Sequence, residues 1–349
     1  MNLYAVYQNN ITLFQSILGC LYGQAIGDAM GMPAELWPLE RVRQHFGWID
    51  QFLPGPKENI ASTGFISGQY TDDTQQVVAL MDALITREGE IDPKLIASNI
   101  IKWAEYSDAF KKNMLGPSSK IALLKIQGGT LIEDIELNGI TNGAAMRIAP
   151  VGCLLPTSSI NTFIQQVRLA CSPTHKSDVA TAGAVVIAWS ISRAIGGTSW
   201  HLIKDELPNI ALRAQKQHVT TFSPALSKRI EWAFSLTHSL YHQHPRKIID
   251  QLYHSIGAGM DTIESIPMAL ALVDVTDTDP VKCATLAANL GGDTDTIGAI
   301  ATSICGALRG IDAFPATWID TINQANNIDF KPYATALYSL RLKKEIKNE

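Results

Sequence analysis

The stretch YTDDTQQVVALMDALITR, residues 70–87, decides the class of fold. Val77, Val78, Leu80, Met81, Leu84 and Ile85 recur at three- and four-residue spacing, the period of a helix with one apolar face. The two-residue alternation of a half-buried strand is missing. Ahead of the apolar run stands a polar cluster, Thr71-Asp72-Asp73-Thr74, where a helix would begin.

The same period extends in both directions. Leu13, Ile17, Leu21, Ala25 and Met30 mark residues 12–31, and Leu95, Ile96, Ile100, Trp103 and Ala104 mark 94–106. Similar patterns fall near 118–127, 161–171, 178–195, 207–216, 223–241, 246–257, 263–273, 280–290 and 297–308. The expected fold is therefore all-α, a compact helical bundle of about a dozen helices. Proline and glycine punctuate it at Pro54-Gly55-Pro56, Gly116-Pro117, Gly128-Gly129, Gly196-Gly197 and Gly291-Gly292. Residues 40–70 form the longest stretch without helical period and are expected to be a flap over a site. Gly19, Gly23, Gly27 and Gly31 lie four apart and form one stripe along a helix. Four residues that disfavour helix need a reason, and close approach of another helix backbone supplies one.

Of 349 residues, 46% are hydrophobic and only 17% charged, which favours one large body over two small lobes. A single domain over 1–349 is expected, with a core at about 12–335 between short tails. The net charge of −5 and the absence of a basic stripe argue against nucleic-acid binding. The basic run Arg341, Lys343, Lys344 and Lys347 reads as a solvated tail, and His238, His242 and His244 as an exposed, incidental group. The five cysteines are odd in number and contain no CxxC, so neither a disulfide framework nor a zinc ribbon is indicated. Buried thiols in a reducing, cytoplasmic setting fit better. No signal-peptide pattern and no membrane-length apolar run stands out, so a soluble protein without membrane contact is expected.

Two acidic clusters carry the chemistry: Thr71-Asp72-Asp73-Thr74 and Gly291-Gly292-Asp293-Thr294-Asp295-Thr296. Helix capping is the competing account of each, because Thr and Asp accept the free N–H groups of a helix start. One cap needs one oxygen, however, and adjacent carboxylates repel. Two clusters of like composition point to carboxylates gathered around cations. Oxygen-only ligands select hard cations such as Mg2+, Mn2+ or Ca2+ over zinc. An EF-hand is excluded, since Ile297 and Ile304 would fill two of its ligand positions. A DxDxT phosphatase nucleophile is a rival reading of Asp293-Thr294-Asp295-Thr296, although that motif follows a buried strand near a chain start. Asp28 fits a helix-packing hydrogen bond, and Glu35 follows Pro33 where a side chain can reach into a cleft.

Five motifs in order, GDAMGMPAE at 27–35, YTDDT at 70–74, TNGAAMR at 141–147, SPTHKSD at 172–178 and LGGDTDTIGA at 290–299, resemble the ADP-ribosylglycohydrolase family. That family includes the dinitrogenase-reductase-activating glycohydrolase and the animal ADP-ribosyl-acceptor hydrolases. The resemblance runs from about Ile17 to Gly310. It implies an all-α fold with a binuclear cleft for two Mg2+ or Mn2+ ions. By position, Thr71, Asp72, Asp73, Asp293, Asp295 and Thr296 would be metal ligands. Glu35 would be the catalytic glutamate. Asn142, Gly143 and Ala144 would form the loop that meets ribose and diphosphate, with His175 near the diphosphate. Ile140 and Thr141 depart from the family, which often carries an aromatic and a glycine there. Adenine stacking would then fall to another residue, with Phe52, Phe65, Tyr70 and Phe110 as candidates.

The implied reaction is hydrolysis at the anomeric carbon of a ribosyl group, through an oxocarbenium-like transition state. The implied substrate is an ADP-ribosylated protein or a small ribosyl conjugate. A nucleosidase-like enzyme on the same scaffold is the alternative. A non-catalytic, crystallin-like protein is weaker, since a structural protein has no use for six ligand candidates.

Overall fold

The stripe of glycines sets the centre of the molecule. In this computed structural model, which describes residues 12–112, 114–216 and 219–347, the helix Leu13–Gly31 lies antiparallel against the helix Thr294–Arg309. A Cβ on Gly19, Gly23, Gly27 or Gly31 would come within 2.1–2.4 Å of a backbone oxygen of Gly306, Thr302, Gly298 or Thr294, respectively. The two backbones touch along four turns, and no larger side chain fits between them. Thr294 closes the seam by donating its hydroxyl to the Gly31 carbonyl, 2.8 Å. The antiparallel arrangement has a consequence for function: it places the start of the second helix, with Asp293 and Asp295, beside the end of the first, just before Glu35.

The described residues form seventeen α-helices and no strand; backbone pairing outside helices is confined to three isolated bridges. The all-α expectation is met, and the count exceeds a dozen because short or polar helices escape a periodicity search. Leu39–Phe46 lies inside the expected flap and buries only Leu39 and Val42. Ala149–Leu154 spans six residues. Ala316–Asn326 buries Ile322 alone. Trp200–Gln215 begins a full two turns before the expected 207, because Pro208 sits inside a helix instead of opening one. Asp178–Ile195 is apolar enough to cross a membrane by length and composition, but 94% of it is buried within the protein.

One contiguous apolar cluster runs from Ile17 to Leu340, with a small satellite of Ala122, Ile135 and Leu137. The C-terminal boundary drawn from sequence therefore needs correction. Helix Lys331–Lys347 continues past 335 and packs Leu337 and Leu340 into the core. Arg341 is not part of a solvated tail. It is 3% exposed, and its guanidinium donates to the carbonyls of Gly152 and Leu155 and to the Ser192 hydroxyl, at 3.2, 3.0 and 3.1 Å. These bonds satisfy the end of helix Ala149–Leu154, a task the charge pattern alone does not reveal. The N-terminal tail, residues 1–11, lies outside the described residues.

Residues 47–71 carry no regular helix and are tied at three points. Asn289 pairs with the backbone of Ile49 through both amide atoms, at 2.7 and 2.8 Å. Asn326 accepts from the Tyr70 N–H at 3.1 Å and donates to the Gly68 carbonyl at 2.9 Å. Between these anchors, buried Asn59 donates to the carbonyls of Pro33 and Glu35, at 3.1 and 2.9 Å. The segment expected to be a flap is thus fastened directly to the loop that carries Glu35.

Candidate active site

The loop after helix Leu13–Gly31 turns sharply. Leu36 adopts a left-handed conformation, φ 58°, which costs a non-glycine residue about 1–3 kcal/mol. It is held there by paired backbone bonds: Leu36 N–H to Gly292 O and Gly292 N–H to Trp37 O, both 2.7 Å. Gly291 and Gly292 have φ of 77° and 79°, and a Cβ on Gly292 would sit 2.1 Å from the Ala258 carbonyl. Only glycine allows this approach. The pairing brings Glu35 to the acidic start of the 294–309 helix.

Capping does not account for the acidic clusters. At the start of helix Asp72–Thr86 the cap is made by the Thr71 hydroxyl and by Asp28, which reaches across from helix Leu13–Gly31. Asp28 accepts from Thr71 N–H, Thr74 N–H and the Thr74 hydroxyl, at 2.8, 3.0 and 2.6 Å. This is the packing hydrogen bond read for Asp28, doubled as a helix cap. Asp72 and Asp73 are left free of that task. Asp293, the N-cap of the other helix, makes no side-chain capping bond at all.

The two clusters face one another. The Thr71 hydroxyl donates to Asp295 at 3.4 Å across 224 residues of sequence. Asn142 donates its amide to Asp293 at 2.6 Å, and Gln76 does the same for Asp72 at 2.8 Å. Thr296 lies beside both Asp73 and Asp293 and favours their charged forms. Glu35 lies beside Asp295 and feels the charges of Asp72, Asp293 and Asp28. Asp73 Oδ2 and Asp295 Oδ1 are buried with no hydrogen-bond partner. A buried carboxylate oxygen without a donor is costly, and a cation is one partner that would satisfy it. The donors are all carboxylate or hydroxyl oxygens, the set that suits Mg2+ or Mn2+. Among the described residues no three His, Cys, Asp or Glu side chains are arranged to hold an ion as they stand. The carboxylates oppose one another at electrostatic range, and a shared cation would draw them inward.

Burial and mutual repulsion raise every one of these acids. Burial pushes Asp28 and Asp293 to about 6 and Asp72 to about 7, and raises Asp73 and Asp295 well above the usual range. Glu35, only partly buried, is pushed up to about 8 by desolvation and by Asp72, Asp293 and Asp28. With the carboxyls raised from about 4, the folded metal-free protein binds more protons than the unfolded chain between roughly pH 4 and 8. Stability must then fall as pH rises through that window. The melting temperature of EDTA-treated protein should be lower at pH 8 than at pH 5.5, and Mg2+ or Mn2+ should raise it more at pH 8. A metal-free melting temperature that is flat or rising across this range would refute the cluster's electrostatics.

The loop Asn142–Ala144 borders the acids. It is fixed by Asn142 N–H to Met260 O, 2.9 Å, and by the Asn142–Asp293 bond. His175 lies beneath it, buried. A Cβ on Gly143 would meet the ring at 2.9 Å. Thr174 engages the Nδ1 of His175 at 2.9 Å and Thr141 engages Nε2 at 3.3 Å. Burial and the nearby Arg147 charge depress its pKa to about 3, so the ring is neutral. In this arrangement His175 supports the loop. Behind it lies a residue that sequence reasoning passed over. Arg147 is 1% exposed and donates to Gly143 O at 2.7 Å, to Gln76 at 3.2 Å and to the Thr174 hydroxyl. A guanidinium fully buried without a carboxylate in contact is unusual, and it supplies positive potential behind both Asp72 and the loop.

A cavity of about 470 Å3 opens from Glu35 and Asp72 towards solvent. Trp37, Arg41, Asn59, Phe65 and Met114 are among its walls. Of the four aromatics proposed as an adenine platform, only Phe65 lines it. Phe52 packs edge-on against Trp318, Phe110 rests against the core, and Tyr70 is 5% exposed. Ile140 also packs against the core. His238, His242 and His244 are exposed, and His244 caps helix Pro245–Ile256.

Comparison with known proteins places this arrangement. A family profile described as ADP-ribosylglycohydrolase matches residues 9–346. The uncharacterized protein YegU of Escherichia coli (strain K12) is 56% identical over 95% of this chain and 98% of its own length. The ADP-ribosylarginine hydrolase Tri1 of Pseudomonas putida (strain GB-1) is 27% identical over 89% of this chain and 75% of its own. A solved structure, the ADP-ribosylglycohydrolase-related protein complex, shares the fold with a TM-score of 0.65 at 23% identity, over 94% of this chain and 99% of that one.

Proposed function

Since the chain belongs to the ADP-ribosylglycohydrolase family, a family of glycosidases, we propose that it hydrolyses the bond between the anomeric carbon of an ADP-ribosyl group and its acceptor. In this reading Thr71, Asp72, Asp73, Asp293, Asp295 and Thr296 hold two Mg2+ or Mn2+ ions. The observation that carries it is the meeting of two distant acidic clusters beside Glu35, with two buried carboxylate oxygens left unpartnered. The relative from Pseudomonas putida, by its name an ADP-ribosylarginine hydrolase, supports the substrate class.

When bound, such cations fix vicinal sugar hydroxyls and acidify water. The chain's own residues supply the rest. The Asn142–Ala144 loop, stiffened from below by His175 and Arg147, presents backbone to the sugar and diphosphate. Preorganised donors of this kind act without reorganising during the reaction. Glu35 moves the proton. It lines the cavity into which the leaving group would depart, and its raised pKa suits a group that gives and takes a proton near neutrality. The strained Leu36 turn and the Asn59 bonds hold it in place.

A second reading, a smaller nucleoside-like substrate, is favoured by the scarcity of free aromatic faces among the described residues of the cavity, where Arg41 covers the Trp37 ring and Phe65 is the other aromatic wall. Product analysis with Mg2+ or Mn2+ separates the two. The panel is ADP-ribosyl-arginine, ADP-ribosyl-serine, O-acetyl-ADP-ribose and the common nucleosides. Release of ADP-ribose from at least one conjugate is expected. Cleavage of a nucleoside with all three conjugates untouched would replace the first reading by the second.

A further inference from the structure

The cavity beyond Glu35 has a distinctive charge arrangement. Its acidic walls are Glu35, Glu58 and Asp72. Among the described residues that line it, Arg41 is the one cation. Its guanidinium lies over the Trp37 ring, with Cζ 4.0 Å from the ring centroid, and donates to the Glu58 carbonyl oxygen at 3.4 Å. Trp37 is itself fixed: it is 4% exposed, contacts His45 and Phe46, and is bridged through its backbone to Gly292 of the acidic loop. The guanidinium is therefore held by the same turn that places Glu35. No carboxylate lies in ion-pair range of it among the described residues. Arg43, two residues on, pairs with Asp250 at 2.6 Å. An arginine held over an aromatic ring and left without a counterion presents a planar fork of donors suited to a carboxylate or phosphate.

We propose that this cavity is a leaving-group subsite in which Arg41 receives an oxyanion, carboxylate or phosphate, carried by the departing part of a small substrate. The inference rests on the glycosidase reading above and narrows its substrate class to free conjugates with an anionic group on the acceptor side. The geometry favours a leaving group that is cationic or neutral near the scissile bond, beside Glu35 and Asp72, and anionic further out. A free amino acid has that form; the same residue inside a polypeptide lacks the carboxylate.

The test pairs ADP-ribosyl-arginine with ADP-ribosyl-agmatine, which differ only by the carboxylate, and adds the ADP-ribosyl conjugate of 4-guanidinobutyl phosphate, whose anion lies far from the scissile bond, as the phosphate arm. A charge-assisted hydrogen bond predicts a preference of about ten- to a hundredfold in kcat/KM for the carboxylate-bearing member. In Arg41→Gln the ratio should collapse towards one, and in Arg41→Lys, which keeps the charge and loses the fork, it should be intermediate. A thermal melt confirms that each variant is folded. If the carboxylate gives no preference but the guanidinobutyl phosphate conjugate is preferred over the agmatine conjugate in an Arg41-dependent way, the oxyanion is phosphate. Calorimetric titration of the wild-type protein with the same compounds reads the subsite without turnover. Arg41-dependent preference in binding with no turnover of any compound overturns the glycosidase reading and leaves the subsite standing. Equal binding and equal kcat/KM for all the compounds, or a preference that survives Arg41→Gln, overturns the subsite.

Discussion

An Asp295→Ala protein is expected to lose activity by at least about a thousandfold, the scale on which preorganised electrostatic groups act. Asp295 accepts from Thr71 and faces Glu35, Asp73 and Asp293, so it joins every part of the acidic site. Its buried Oδ1 has no other partner. The loss should come with a loss of the thermal stabilisation that Mg2+ or Mn2+ gives the wild type. The metal-free variant itself should melt no lower than the metal-free wild type, because removing one of several crowded carboxylates relieves repulsion. This combination separates a ligand from a structural residue, whose removal would lower stability with or without metal. Activity within tenfold of wild type, or an undiminished metal-induced shift, would remove Asp295 from the site.

Glu35→Gln should behave differently. The substitution keeps the shape and the strained turn but removes the carboxyl proposed to transfer the proton. Loss of general acid–base catalysis costs about 10²–10⁴ in rate. The fall should appear in kcat, with KM little changed and the metal-induced rise in melting temperature retained. The pH–rate limb that Glu35 produces should vanish as well. Full activity would exclude it from the chemistry, and a vanished metal shift would make it an anchoring ligand.

The helical class and the meeting of the two acidic clusters were legible for different reasons. Periodicity in 74–87 and 178–195 reflects burial on one side or all sides, which any sequence reader can see. The glycine stripe announced a close helix contact but not its partner; Gly298 and Gly306 lie in a segment whose own spacing is eight, and the pairing emerges only in three dimensions. The acidic clusters could be told from caps only once Asp28 was seen doing the capping. Asn59, Arg147 and Arg41 gave no signal. Each is a single polar residue whose importance comes from what tertiary packing brings to it: two carbonyls for Asn59, the underside of the Gly143 loop for Arg147, the Trp37 ring for Arg41. Arg341 misled for the opposite reason, since three neighbouring basic residues made a buried carbonyl clamp resemble a tail.

The claim on which the account turns is that Asp72 and Asp73 form one cation site with Asp293 and Asp295. Electron paramagnetic resonance of Mn2+ titrated into metal-free protein tests it directly. Two Mn2+ per chain with a spin-coupled signal are predicted, and the coupling should disappear in Asp295→Ala. No bound Mn2+, or two magnetically isolated ions, would contradict it.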